Sequence, residues 1–166
     1  KFEVRKDKMP PKMKILSVLA IIFLACQSVL WAQPTTNHSS LNERRRNWEQ
    51  ASAWTTADGI PAKTGQKKNI TINGFIIETG DLNYSNDVNI TVETGDTLVI
   101  DGNITLNNNS NFIVGTNAVL IIRGNLVASQ NFTIQSSSKI IIGGSATTQN
   151  NTDIINSGNL YVFGTE

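Results

Sequence analysis

The sequence predicts an all-β fold, a parallel β-helix (β-solenoid) of about five coils. Three observations carry that prediction. Five short β-rich strings align on a terminal glycine: FIIETG (75–80), TLVIDG (97–102), VLIIRG (119–124), KIIIGG (139–144) and NLYVFG (159–164). Their glycines, Gly80, Gly102, Gly124, Gly144 and Gly164, lie 22, 22, 20 and 20 residues apart. Within the strings apolar residues recur with the period of two that marks a strand, and residues 69–166 show no helical period. Coils of 20–22 residues with three short strands each make a three-sided helix, taken as right-handed by default for this coil length.

Ahead of the repeat the chain divides into three parts. Residues 1–12 precede Met13 and read as upstream sequence rather than protein, with Met9 the alternative start. Met13-Lys14 opens an apolar run that ends at Leu30-Trp31-Ala32 before the polar Gln33. A positive start, a short apolar core and a small residue at the boundary describe a helical secretory signal peptide over 13–32, cleaved after Ala32. The uninterrupted apolar part, 18–26, is far shorter than the ~20 residues a membrane span needs. Cys26 follows Phe23-Leu24-Ala25, a poor lipidation signal, so the leader reads as an ordinary cleaved one. The membrane then enters only through the signal peptide, and the mature product is secreted or held at the outer cell surface.

Residues 33–68 read as linker and N-terminal cap. Pro34 lies in a polar stretch, and Ser40 with Glu43 three residues on has capping-box spacing, which predicts a short helix from Leu41 to about Gln50 carrying Arg44, Arg45 and Arg46 on a solvated face, an anion or membrane-surface contact being the alternative. Asp58-Gly59-Ile60-Pro61 is a turn signal. Trp48 and Trp54 are expected to cover the exposed end of the first coil, since a solenoid's terminal rung must be closed. An aromatic platform for sugar is the alternative.

Charge excludes one class of partner. Residues 69–166 hold eight acids against Arg123 and Lys139 alone, a net of −6, and such a surface repels phosphate backbones, so no nucleic acid is expected. Cys26 is the single cysteine and His38 the single histidine, so the mature chain has no disulfide framework, thiolate site or histidine metal cluster.

Taking residues 97–118 as the pattern of one coil, Leu98 and Ile100, Ile104 and Leu106, and Phe112 and Val114 point inward, with polar turns between the pairs. The same reading predicts inward columns Ile76–Leu98–Leu120–Ile140–Leu160, Leu82–Ile104–Leu126–Ala146 and Ile90–Phe112–Phe132–Ile154. Glu78 falls where Ile100, Ile122, Ile142 and Val162 sit. A lone buried carboxylate is costly, so Glu78 is expected to escape to solvent beside the cap, a ligand or metal carboxylate being the alternative. Asparagine supplies 17 of the 98 residues from Asn69, including Asn89, Asn111 and Asn131, and is expected to turn the chain and bond from coil to coil.

Candidate site residues are few. Asp81, Asp96 and Asp101 are the acids that could hold a calcium ion; no other cofactor is indicated. Asp101 and Arg123 occupy equivalent outward positions on adjacent coils and are expected to form an exposed ion pair rather than a catalytic one. No catalytic residue is assigned. The outward column Ile77, Val99, Ile121, Ile141 and Tyr161 is apolar over five coils and is the candidate binding face, covered either by the segment around Trp48 and Trp54 or by a partner.

Asn47-Trp48, Ala53-Trp54, Gly59-Ile60-Pro61 and Asn69-Ile70-Thr71-Ile72-Asn73-Gly74, with the repeat that follows, resemble the opening of many secreted β-helical surface proteins of Bacteroidetes, large multidomain proteins often exported by the type IX route. The style is also similar to the extracellular β-domain family named for its eight glycines, although the aspartate-rich turn of such sequences is here Gly65-Gln66-Lys67-Lys68. Asp96-Thr97-Leu98 matches the short acceptor pattern for O-glycosylation in the same bacteria. The resemblance covers residues 13–166 and implies an extracellular structural or adhesion module, with glycans or surface proteins as partners and further domains in the same chain. The alternative is the N-terminal part of a polysaccharide lyase or glycoside hydrolase whose catalytic coils lie beyond residue 166.

Overall fold

The computed structural model describes residues 34–42, 45–55, 59–129, 132–149 and 154–164. The expected signal peptide over 13–32, with Cys26, lies outside the described residues, as do Glu43, Arg44, Asp58 and Asn131.

The described residues form an all-β solenoid of parallel strands in about four turns, with almost no helix among them. Two strands come first, β1 (Thr36–Ser39) and β2 (Arg46–Asn47), then a 3-10 turn (Ala51–Ala53). β3 (Thr64–Ile72), β4 (Phe75–Glu78) and β5 (Leu82–Val92) follow. Each later coil has three strands: β6 (Thr97–Ile100), β7 (Ile104–Leu106) and β8 (Asn111–Val114); β9 (Val119–Ile122), β10 (Leu126–Ala128) and β11 (Phe132–Ile134); β12 (Lys139–Ile142), β13 (Ala146–Thr148) and β14 (Ile154–Asn156). β15 (Asn159–Val162) ends the described chain. The first face is a sheet in the order β15-β12-β9-β6-β4-β2. β13, β10, β7 and the start of β5 form the second face; β14, β11, β8, the end of β5, β3 and β1 form the third.

The predicted columns are the observed register. Ile76, Leu98, Leu120, Ile140 and Leu160 pair in succession, as do Leu82, Ile104, Leu126 and Ala146, and the backbone positions of Ile90, Phe112, Phe132 and Ile154. Stacking like on like keeps the interior aliphatic. Phe112 and Phe132 meet at 5.4 Å between ring centroids, in the range that favours aromatic pairs.

Some corners repeat as well as the strands do. Between the third and first faces, Asp96, Ala118 and Ser138 each donate N–H to the carbonyl three residues back, and the residue just before each, Gly95, Asn117 and Ser137, has a positive φ. These are β-turns whose third residue must tolerate the left-handed region, which glycine and asparagine do at least cost. Between the second and third faces, four residues (85–88) separate Tyr84 from Asn89, and four (107–110) separate Leu106 from Asn111, the register partners of that pair. In the next coil three residues (129–131) separate Ala128 from Phe132, where the preceding coil has five (107–111) between Leu106 and Phe112. The drop in period from 22 to 20 is absorbed there.

The corner between the first and second faces is where the marker glycines sit. Gly102, Gly124, Gly144 and Gly164 have no positive φ, so a special backbone turn is not what they provide. They provide room. A Cβ on Gly102 would lie 2.6 Å from Asp81 Oδ1 and from the Gly80 carbonyl oxygen; one on Gly124 would lie 2.5 Å from Asn103 Oδ1. Asp81, Asn103 and Asn125, each the residue after a glycine, lay their side chains over the glycine of the next coil. Asp81 Oδ1 accepts from Asn103 N, Asn103 Oδ1 from Asn125 N, and Asn125 Oδ1 from Ser145 N, at 2.7 to 2.9 Å. A second ladder on the third face joins Asn37, Asn69, Asn89 and Asn111 through their amides at 2.8 to 2.9 Å.

Residues 41–50 differ from expectation. They hold no helix among the described residues; Arg46–Asn47 pairs with Ile76 and Ile77 as a strand. Ser40 caps nothing. Its N–H continues β1 by bonding Thr71 O, and its hydroxyl accepts from Asn73 N and donates to Asn73 O, each at 2.7 Å. Pairing with a preformed sheet outweighs a local helix signal of a few residues, because a short helix is marginal on its own. Trp48 and Trp54 pack edge-on at 5.0 Å and belong to the same buried cluster as Ile70, Ile72 and Ile76. Both indole N–H groups are satisfied, Trp48 by Pro61 O and Trp54 by Trp48 O, each at 2.8 Å.

Because the glycine corner lacks room for a methyl group, Gly124→Ala is expected to cost about 1–3 kcal/mol in urea unfolding. Gly80→Ala should be close to neutral, since a Cβ there meets nothing nearer than Lys63 Nζ at 3.5 Å. Equal losses at the two positions would show that the column is not what makes glycine necessary.

Candidate functional site

Two places stand apart from the repeating scaffold: the outer surface of the first face, and the junction around Glu78.

On the first face, strand alternation points Ile77, Val99, Ile121, Ile141 and Tyr161 outward, paired in that order by the ladder. Asn47 of β2 heads the same column next to Ile77. Ile77, Ile121 and Ile141 are half-buried, Val99 is buried and Tyr161 is exposed. A shallow groove of about 470 Å³ runs over the first part of this column, lined by Ile77, Val99, Ile121 and Phe75 with Arg45, Asp101 and Arg123. Trp48 and Trp54 are buried inside, which leaves them no surface from which to act as a sugar platform, while Arg45 and Asn47 of the same segment line the groove. Asp101 and Arg123 form the expected exposed cross-coil pair, Oδ1 to Nη1 at 3.2 Å.

The three aspartates considered for calcium do not converge. Asp81 Oδ1 is engaged by the backbone and side-chain amides of Asn103, Asp101 pairs with Arg123, and Asp96 lies at the corner turn that leads into β6. Among the described residues no three acidic, histidine or cysteine side chains gather in a metal-holding arrangement. His38 is buried, with Nδ1 at 2.8 Å from Gly59 O and Nε2 at 3.1 Å from Thr36 Oγ1, and ties β1 to the segment at Gly59.

Glu78 does not escape to solvent. It is fully buried at the end of β4, in register with Ile100. Lys63 Nζ lies 2.6 Å from Glu78 Oε1 and 2.6 Å from Glu49 Oε1, so one ammonium serves a buried and an exposed carboxylate. Neither Glu78 oxygen makes a well-directed hydrogen bond, and the contact to Lys63 is charge attraction. Burial pushes the Glu78 carboxyl above the usual carboxylate range; Lys63 offsets part of this and Glu49 adds to it. Glu49 and then Glu78 raise Lys63 in turn. Tyr84, buried beside them with its hydroxyl on Ala62 O at 3.0 Å, is pushed well above the usual phenol range by burial and then by Glu78. Fully enclosed, Glu78 has no access to a substrate. Its chemistry is to join residues 49 and 63 to the first complete coil.

Sequence reasoning missed Lys63, Glu49 and Tyr84, and set Arg45 on a helix face that the structure does not form, where it lines the groove instead. Tyr84 was open to discovery, because it stands in register with Leu106 and Ala128 in an inward column. Lys63 and Glu49 precede the repeat and belong to no column, so no periodic signal marks them.

Compared with known proteins, the chain matches no family model, no curated protein and no solved structure.

Replacing Glu78 by the isoleucine of its register partners should raise stability by about 1–4 kcal/mol, as hydrophobic replacement of buried ion pairs often does, since Lys63 keeps Glu49. The pH dependence has a definite sign. A carboxyl whose folded pKa is raised holds an extra proton in the native state, so its effect on stability is most favourable below the ordinary value of 4.5 and fades as pH rises through the folded value. Lys63 acts on the alkaline side, where its contribution is complete below 10.5 and lost as pH passes its folded value. In urea titrations the difference between the native chain and Glu78→Gln should shift in favour of the native chain on going from pH 7 to pH 4; a constant difference would rule out a raised Glu78.

Proposed function

We propose that this chain is a binding and spacer module of a larger secreted or cell-surface protein, and that its first face contacts glycan. In this reading a signal peptide over 13–32 delivers it, residues 33–68 close the N-terminal end of the solenoid, and the resemblance to Bacteroidetes surface proteins supports further domains in the same polypeptide. One observation carries the reading: the column Ile77–Val99–Ile121–Ile141 stays apolar and outward from coil to coil, and its first three residues floor a groove. A run of this kind on a surface otherwise rich in asparagine and threonine is the mark of a contact surface. Strands whose backbone is fully paired hold such side chains at fixed spacing, which favours an extended ligand laid across them. Nothing at the site favours catalysis, since the groove brings together one acid and two guanidinium groups and no carboxylate pair or acid–base set.

The test is glycan-array screening followed by calorimetry on the full chain. Ile121→Asp, which places a charge on the groove floor, should weaken binding at least tenfold. Thr133→Asp on the third face should leave it unchanged. Equal effects at the two positions, or no binding to any glycan, would refute the reading.

A further inference from the structure

From the charges around the groove we infer that its ligand is acidic: a glycan chain bearing carboxylates, read by Arg123 and Arg45. The inference rests on the glycan reading of the first face and adds the ligand's chemistry to it.

Residues 69–166 hold eight acids and two bases, and one of those bases, Arg123, lies in the groove. The other guanidinium at the groove, Arg45, comes from outside the repeat, beside β2, where Asn47 also contributes to the lining. Two arginines from separate parts of the chain therefore flank one apolar floor on an otherwise acidic solenoid. Arg46 is not part of this set; its Nη1 donates to Ser52 Oγ at 2.9 Å.

Asp101 shows what Arg123 recognises. Its carboxylate oxygen sits 3.2 Å from Nη1, on a pair whose side chains are both largely exposed (46% for Asp101, 68% for Arg123). A guanidinium has five N–H donors in a planar fork matched to a carboxylate, so one contact at Nη1 leaves most of its capacity open. Exposed pairs of this kind are weak, so an incoming carboxylate can share or displace Asp101 at little cost.

The floor decides between a sugar and an acidic peptide. An extended peptide gains affinity by adding to a sheet edge, through its main-chain groups. The floor strands β4, β6 and β9 are each paired on both sides and offer no edge. Recognition must then come from side chains: aliphatic carbons and the Phe75 ring against the C–H faces of sugar rings, and guanidinium groups against carboxylates. Between β2 and β9 the groove crosses three strand spacings, roughly 14 Å, enough for a short oligosaccharide.

The experiment compares an oligogalacturonate with its fully methyl-esterified counterpart, by calorimetry on the full chain. The inference expects the acid to bind about tenfold or more tightly than the ester, as a charge-assisted hydrogen bond allows. It expects Arg123→Gln and Arg45→Gln each to reduce that preference, added salt to diminish it, and Asp101→Asn to strengthen acid binding by removing the competing carboxylate. Equal binding of acid and ester would overturn the inference and leave the glycan reading standing. Binding of neither, with no other glycan bound, would overturn both. Acid binding that ignores both arginine variants, or polyglutamate binding with the same arginine dependence, would also overturn it. Since both arginine side chains lie at the surface, an unchanged urea midpoint verifies that each variant is folded.

Discussion

Each coil of this chain hydrogen-bonds through its backbone to the coil before and the coil after. That requirement fixes the cross-section of the whole molecule. Strands one spacing apart, at ~4.8 Å, leave no freedom for a column to change size or polarity without a compensating change in its neighbours. The aliphatic columns, the Phe112–Phe132 contact and the asparagine ladders are three answers to the same condition. Inside, the condition is met by repeating a shape. At the corners, where backbone groups lose ladder partners, it is met by amide side chains that bridge one coil to the next.

Glu78 is where the condition is broken, and the break is local. The column around it is isoleucine and valine, and its partners come from residues 49 and 63, outside the regular repeat. An isoleucine in its place would still pack, but would remove one of the two ties that hold the preceding segment where it sits. The ion pair ties that segment to one coil, at a cost in desolvation and with a dependence on pH that the apolar coils do not share. The buried Trp48 and Trp54 secure the same junction by apolar contact, so two kinds of force act on it.

Periodic features were legible in the sequence and isolated ones were not. The glycine strings fixed which residues pair across coils, and with that the inward columns, the outward apolar face and the Asp101–Arg123 contact, because each depends on register alone. The reason for the glycines was not legible. A bend was the obvious reading, and the need for space beneath the Asn103 and Asn125 side chains emerges only when the coils are stacked. The helix expected after Ser40 failed because a local capping pattern cannot announce that a sheet edge lies beside it. Glu78 was recognised as an anomaly from its column, yet its burial depends on Lys63, 15 residues earlier in a stretch without period. Of the groove, the floor was readable; Arg45 was marked as a charge, but its place beside that floor was not, for the same reason.

The corner between the second and third faces carries a different implication. It gains and loses residues from coil to coil while Leu106 and Ala128 on one side, and Phe112 and Phe132 on the other, stay in register. Length varies there and at the corner between the third and first faces, where four residues (135–138) become two (157–158), while the corner between the first and second faces stays constant. Loops could be lengthened or decorated along the edge between the second and third faces without disturbing the groove, because exposed corners accept insertions that paired strands do not. In evolution or in engineering, new contacts could be added at that edge while the existing face is kept.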